Sequence, residues 1–142
     1  MIPTLTLTLR FAGAGLLILA VVHVFIARHL NWREESARLA PVNGAIFRVH
    51  AFFICLILAL MGLPCLIEPR IFLEPTRAGL WMSWSFAGFW AVRLYCQWFV
   101  YEAALWRSKR FETFMHWWLS LVWLALTTVF ALCGLYQAGW IQ

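Results

Sequence analysis

Four stretches of the chain are almost unbroken in apolar residues, and short polar or turn-rich segments separate them. A bilayer-crossing helix needs about 20 such residues, because it climbs only about 1.5 Å per residue through about 30 Å of hydrocarbon. The pattern predicts spans over about residues 11–28, 45–67, 78–105 and 114–136. Pro41 and Asn43 precede the second span, with Asn43 as the expected N-cap. Pro64 falls inside it and is expected to kink its last turn rather than end it, because lipid forces freed backbone groups to find partners nearby. The first span follows Arg10 as a signal peptide would. No small-x-small cleavage site comes after it, and Arg28 and His29 close it, so it reads as a retained helix. The expected fold is therefore all-α: four transmembrane helices in an antiparallel up-down bundle, one membrane domain over residues 1–142.

Two features recur between the halves. Trp32-Arg33 follows the first span and Trp106-Arg107 the third, with His23 and Gln97 each nine residues before the Trp. Superimposing His50 on His116 also aligns Leu58-Ala59-Leu60 with Leu124-Ala125-Leu126. Two repeated helical hairpins are the expectation, with His50 and His116 in symmetric positions.

Composition sharpens the class. Hydrophobic residues make up 64% of 142 and charged residues 12%, against about 45–50% and about 25% in soluble domains, and mean hydropathy is +0.80. A soluble enzyme, a disordered tail and a disulfide scaffold are excluded. The net charge of +5 reads as topology rather than nucleic-acid binding, because basic residues collect in cytoplasmic loops. Arg28, Arg33, Arg38, Arg48, Arg107, Lys109 and Arg110 fall on one side, and Arg10, Arg70 and Arg77 on the other. Seven against three puts both termini outside and the two basic loops in the cytoplasm, and a multi-pass chain of a bacterial-type inner membrane is the expectation. Trp32, Trp106, Trp117 and Trp118 would form an inner aromatic belt and Trp81 and Trp140 an outer one, with Ile71-Phe72-Leu73 dipping into the outer interface. Cys55, Cys65, Cys96 and Cys133 form no CxxC and lie in apolar runs, as small buried hydrophobes do.

The candidate chemistry lies in a few polar residues. All four histidines fall in the cytoplasmic half: His23 and His29 near the end of the first span, and His50 and His116 in the opening turns of the second and fourth. His23, His50 and His116 are the candidate metal ligands, with haem b or a transition metal as the cofactor such imidazoles hold. The layout is shared, as architecture alone, with four-helix b-type cytochromes. His29, at the water boundary, is not expected to contribute. On the fourth span His116, Ser120, Trp123, Thr127 and Gly134 form one stripe, and on the first Gly13, Ala20, His23 and Ala27 lie together. Both faces are expected to point into the bundle.

Arg93 is the most unusual residue. It interrupts the third span, where an arginine costs about 2.5–3.5 kcal/mol on insertion scales. The chain has no Asp, and Glu34, Glu35, Glu68, Glu74, Glu102 and Glu112 all lie outside the middle of a span. Gln97, one turn on, shares hydrogen bonds but brings no charge. Arg93 and Gln97 thus join the histidines as candidate cofactor-binding residues, with an anion or quinone carbonyl as the group a guanidinium would meet. Phosphate-loop, HExxH and GxSxG motifs are absent. Three functions follow as expectations: an accessory or assembly subunit with a protein partner or a second copy, a haem- or metal-binding quinone-linked redox bundle, and a lipid or small-anion handling protein using Arg93.

Overall fold

The computed structural model describes residues 1–29, 31–107 and 109–141, and the side chains of His29 and Leu105 lie outside that description. Among the described residues all regular structure is helical. Helix α1 spans Ile2–His29, α2 Trp32–Ala37, α3 Pro41–Ile67, α4 Arg77–Phe99 and α5 Arg110–Gln137, with 3-10 turns at Pro69–Phe72 and Ala103–Leu105. Helices α1, α3 and α5 are long and apolar enough to cross a membrane. Helix α4, at 23 residues, is shorter than these three but still long enough for about 30 Å of hydrocarbon; Arg93, Gln97 and Trp81, Trp84, Trp90 and Trp98 lower its hydropathy. The chain divides into two compact units, one of Met1–Thr8 with Arg70–Gln142 and one of Leu9–Pro69.

In the Leu9–Pro69 unit α1 meets α3 at two glycines. A Cβ on Gly13 would stand 2.7 Å from the Gly62 carbonyl oxygen, and one on Gly62 would stand 2.9 Å from that of Gly13. The backbones touch, as small residues permit in membrane helices. Helix α3 opens at Pro41 with Ala40 as its N-cap, so Asn43 is not the cap. Proline suits the first turn, where its missing N–H has no helical acceptor to lose. Pro64 sits within the helix, which runs three residues further.

In the other unit Thr76 caps α4 by accepting from the Gly79 N–H at 3.0 Å. Trp84 packs on Gly134, Trp90 stacks on Trp123, and Gln97 bonds to His116, so α4 and α5 run in opposite directions. Phe72 is fully buried and lies 5.6 Å from Phe86 and 5.4 Å from Phe130, ring centre to ring centre. The Gln137 amide donates to the Phe72 carbonyl and to Ser83 Oγ, both at 2.8 Å. Phe72 and Leu73 therefore pack into protein, rather than dipping into the interface, because the 3-10 turn folds them inward. Trp81 and Trp140 are exposed, as are Trp117 and Trp118.

Candidate functional site

Helix α4 ends at Phe99, six residues before the boundary that hydropathy suggests. The early end lets the following segment fold back over the last turns of α4 and the first turns of α5. Arg93 and Gln97 lie one turn apart on α4 and share a face. On α5, His116, Ser120 and Trp123 share the buried face.

The hydrogen bonds between these residues set one another's orientation. Arg93 Nη1 donates to Gln97 Oε1 at 3.2 Å, and Trp123 Nε1 donates to the same oxygen at 3.4 Å. Both groups are donors only, so the amide must turn its oxygen to them. Its Nε2 then faces His116 Nδ1 at 3.1 Å. An amide N–H there requires Nδ1 to accept, which puts the imidazole proton on Nε2. Ser120 Oγ donates to the His116 carbonyl at 2.8 Å and accepts from Trp98 Nε1 at 3.0 Å, which holds the helix pair together one turn further along.

Aromatic rings close around this core. The Arg93 guanidinium carbon lies 5.0 Å from the centre of the Trp123 ring and 5.5 Å from that of Tyr101. Trp123 stacks on Trp90 with ring centres 4.9 Å apart, and Trp106 lies flat on His116 at 4.1 Å. The Trp106 carbonyl accepts from Thr113 Oγ1 at 2.7 Å, which pins the folded-back segment to α5.

Arg93 is half-buried and has no ion pair; the ion pair found among the described residues is Arg38–Glu35, at the exposed surface. Glu102 lies beyond the helix end, exposed and extended. A cation–π contact adds about 0.5–2 kcal/mol and a hydrogen bond from a charged group about 1.5–3 kcal/mol. Two rings and one amide thus offset a cost of about 2.5–3.5 kcal/mol without neutralising the charge. A guanidinium carries five N–H donors, and Arg93 directs one of them to Gln97. The rest have no partner among the described residues, and none of their atoms is a buried unsatisfied one. They remain open to an acceptor that approaches in the plane of the fork.

His23 and His50, both in the Leu9–Pro69 unit, adopt the other tautomer. His23 Nδ1 lies 2.8 Å from the Leu19 carbonyl oxygen, and His50 Nδ1 lies 2.9 Å from that of Ile46. A carbonyl only accepts, so Nδ1 carries the proton and Nε2 is the lone-pair nitrogen. His116 presents an N–H at Nε2 instead, and ligating a metal there would break its bond to Gln97. No group of three His, Cys, Asp or Glu side chains gathers in metal-holding geometry among the described residues. The histidines that the repeat pairs also differ in setting: His116 is 7% exposed and bonded across helices, whereas His50 is exposed and bonded to its own helix. Trp32 meets Phe47 edge-on, where Trp106 covers His116 face-on.

The cluster thus joins Arg93, Gln97 and His116 in one network. Trp106, Tyr101 and Trp90 complete it; the sequence marked Trp106 only as an aromatic of the inner belt and did not single out Trp90. Trp123 was signalled by its seven-residue spacing from His116. No family model, curated protein or solved structure matches the chain.

Proposed function

We propose that this chain is a four-span helical protein of a bacterial-type inner membrane, with both termini outside, and that it serves as an accessory or assembly subunit of a membrane complex. One observation carries the reading: a half-buried guanidinium in α4, caged by Trp123 and Tyr101 and bonded to Gln97, keeps donors free and has no ion-pair partner among the described residues. Intramembrane cations pair with acids or carbonyls, and a helix of a partner subunit is where such an acceptor is found at that depth. Gln97 bonds to both Trp123 and His116 across the hairpin, so the network holds Arg93 in place and leaves it to make the outward contact.

The test is photo-crosslinking from position 89. Phe89 lies one turn before Arg93 on the same face and is exposed, and a benzoyl-phenylalanine replaces it conservatively. In native membranes the wild-type background should give one defined protein adduct. Arg93→Leu should remove it, and Arg93→Lys should weaken it by about 10-fold, because an ammonium does not reproduce the planar fork. An undiminished adduct in Arg93→Leu would refute the assignment. The same free donors also suit the anionic group of a lipid or small molecule. Adducts to lipid alone would select that second reading.

A further inference from the structure

A second feature lies wholly within the Leu9–Pro69 unit and is independent of Arg93. The last turns of α1 and the first half of α3 line, with α2, an open pocket of about 810 Å³, within the range of about 300–1,000 Å³ typical of small-molecule sites. Two local features set the position of α2. Asn31 takes a left-handed turn at φ 50° between α1 and α2, a conformation that Asn tolerates better than most residues. A Cβ on Gly44 would stand 2.5 Å from the Ser36 carbonyl oxygen, so only glycine lets α2 settle on α3. Trp32 then meets Phe47 edge-on at 5.3 Å and forms one wall.

The lining separates by chemistry. Val24, Ala27, Phe47, Ala51, Phe52 and Cys55 make it apolar. Arg28, Arg33 and Arg48 contribute three cations against the single carboxylate of Glu34. None of these four forms an ion pair, since the ion pair among the described residues joins Arg38 to Glu35. The apolar lining extends from the level of Arg48 to Cys55, about 10 Å along α3. An apolar pocket lined also by three arginines fits an amphiphile whose anionic head precedes an apolar chain.

We propose that this pocket binds an anionic phospholipid, with the phosphodiester held by Arg28, Arg33 and Arg48 and the start of an acyl chain lying against Phe52 and Ala51. A neutral lipid would leave the three cations uncompensated, so charge decides the head group. The test uses the full chain in nanodiscs of equal phosphatidylglycerol and phosphatidylcholine, with retained lipid counted by native mass spectrometry after transfer to detergent. The wild type should keep one phosphatidylglycerol per chain, preferred about 10-fold over phosphatidylcholine, equivalent to about 1.4 kcal/mol. Arg33→Gln with Arg48→Gln should abolish the preference while leaving Arg28 to help orient insertion. Ala51→Trp should fill the pocket and lower retention of both lipids with every charge intact, which separates loss of the site from loss of the fold. Equal retention of the two lipids by the wild type, a preference that survives the double variant, or displacement of the lipid by inorganic phosphate would each overturn the proposal.

Discussion

Gln97 carries more of the α4–α5 contact than its neutral side chain suggests. It accepts from Arg93 and Trp123 and donates to His116, so Gln97→Leu removes two interhelical bonds at once. Such bonds in membranes average about 0.6 kcal/mol and reach about 1.7 kcal/mol, so the expected loss is about 1–3 kcal/mol, read as a lower unfolding temperature in detergent. A variant as stable as the wild type would show that the amide does not brace the hairpin. Arg93 and Gln97 were legible in the sequence as polar breaks one helical turn apart in an apolar run, and His116 was legible on its stripe. Their meeting was not. Which residue of α5 faces Gln97 depends on where α4 stops and how residues 100–109 return, and helical periodicity within one element carries no information about either. The histidine tautomers were hidden for the same reason, since each is set by the single atom facing Nδ1.

The elements show where hydropathy succeeds and where it does not. It located α1, α3 and α5 because long apolar runs must be helical in lipid, but it extended the third span past Phe99, since Val100, Tyr101 and Ala103–Leu105 are apolar enough to continue a window. The turn at residues 100–102 is fixed by tertiary contacts, with Tyr101 over Arg93 and Trp106 on His116. The inward folding of Phe72 was equally invisible, because its acceptor of space, beside Phe86 and Phe130, lies on distant segments. Gly13 was recognisable as a small residue on a bundle-facing stripe, whereas Gly62 drew no notice. Both are expected to be intolerant of a methyl group: Gly13→Ala and Gly62→Ala should each destabilise by about 1–3 kcal/mol through overpacking. Gly15, with nothing within 4 Å of a Cβ, supplies the control, and Gly15→Ala should be neutral or stabilising by up to about 1 kcal/mol. Equal thermal shifts for all three would contradict the close α1–α3 crossing.

For the molecule as a whole, reporter parity tests whether α4 crosses the membrane. Reporters placed at the exposed Glu74–Pro75 turn and after Gln142 should both lie outside if α4 and α5 both cross. Opposite sides would mean that α4 does not. Placing the first reporter at Glu74–Pro75 avoids the buried Phe72. Arg93 has no ion-pair partner among the described residues, and on the proposed function it takes an acceptor from another molecule. Gln97→Glu supplies a counter-charge 3.2 Å from Nη1 in the wild-type geometry. The new carboxylate still accepts from Arg93 and Trp123, and His116 retains its bond by moving its proton to Nδ1. The most direct measurement is therefore the position-89 crosslink in Gln97→Glu membranes, taken with the unfolding temperature of the purified variant. The adduct should be lost while the variant unfolds at or above the wild-type temperature. An undiminished adduct in a variant of that stability would contradict the proposed function.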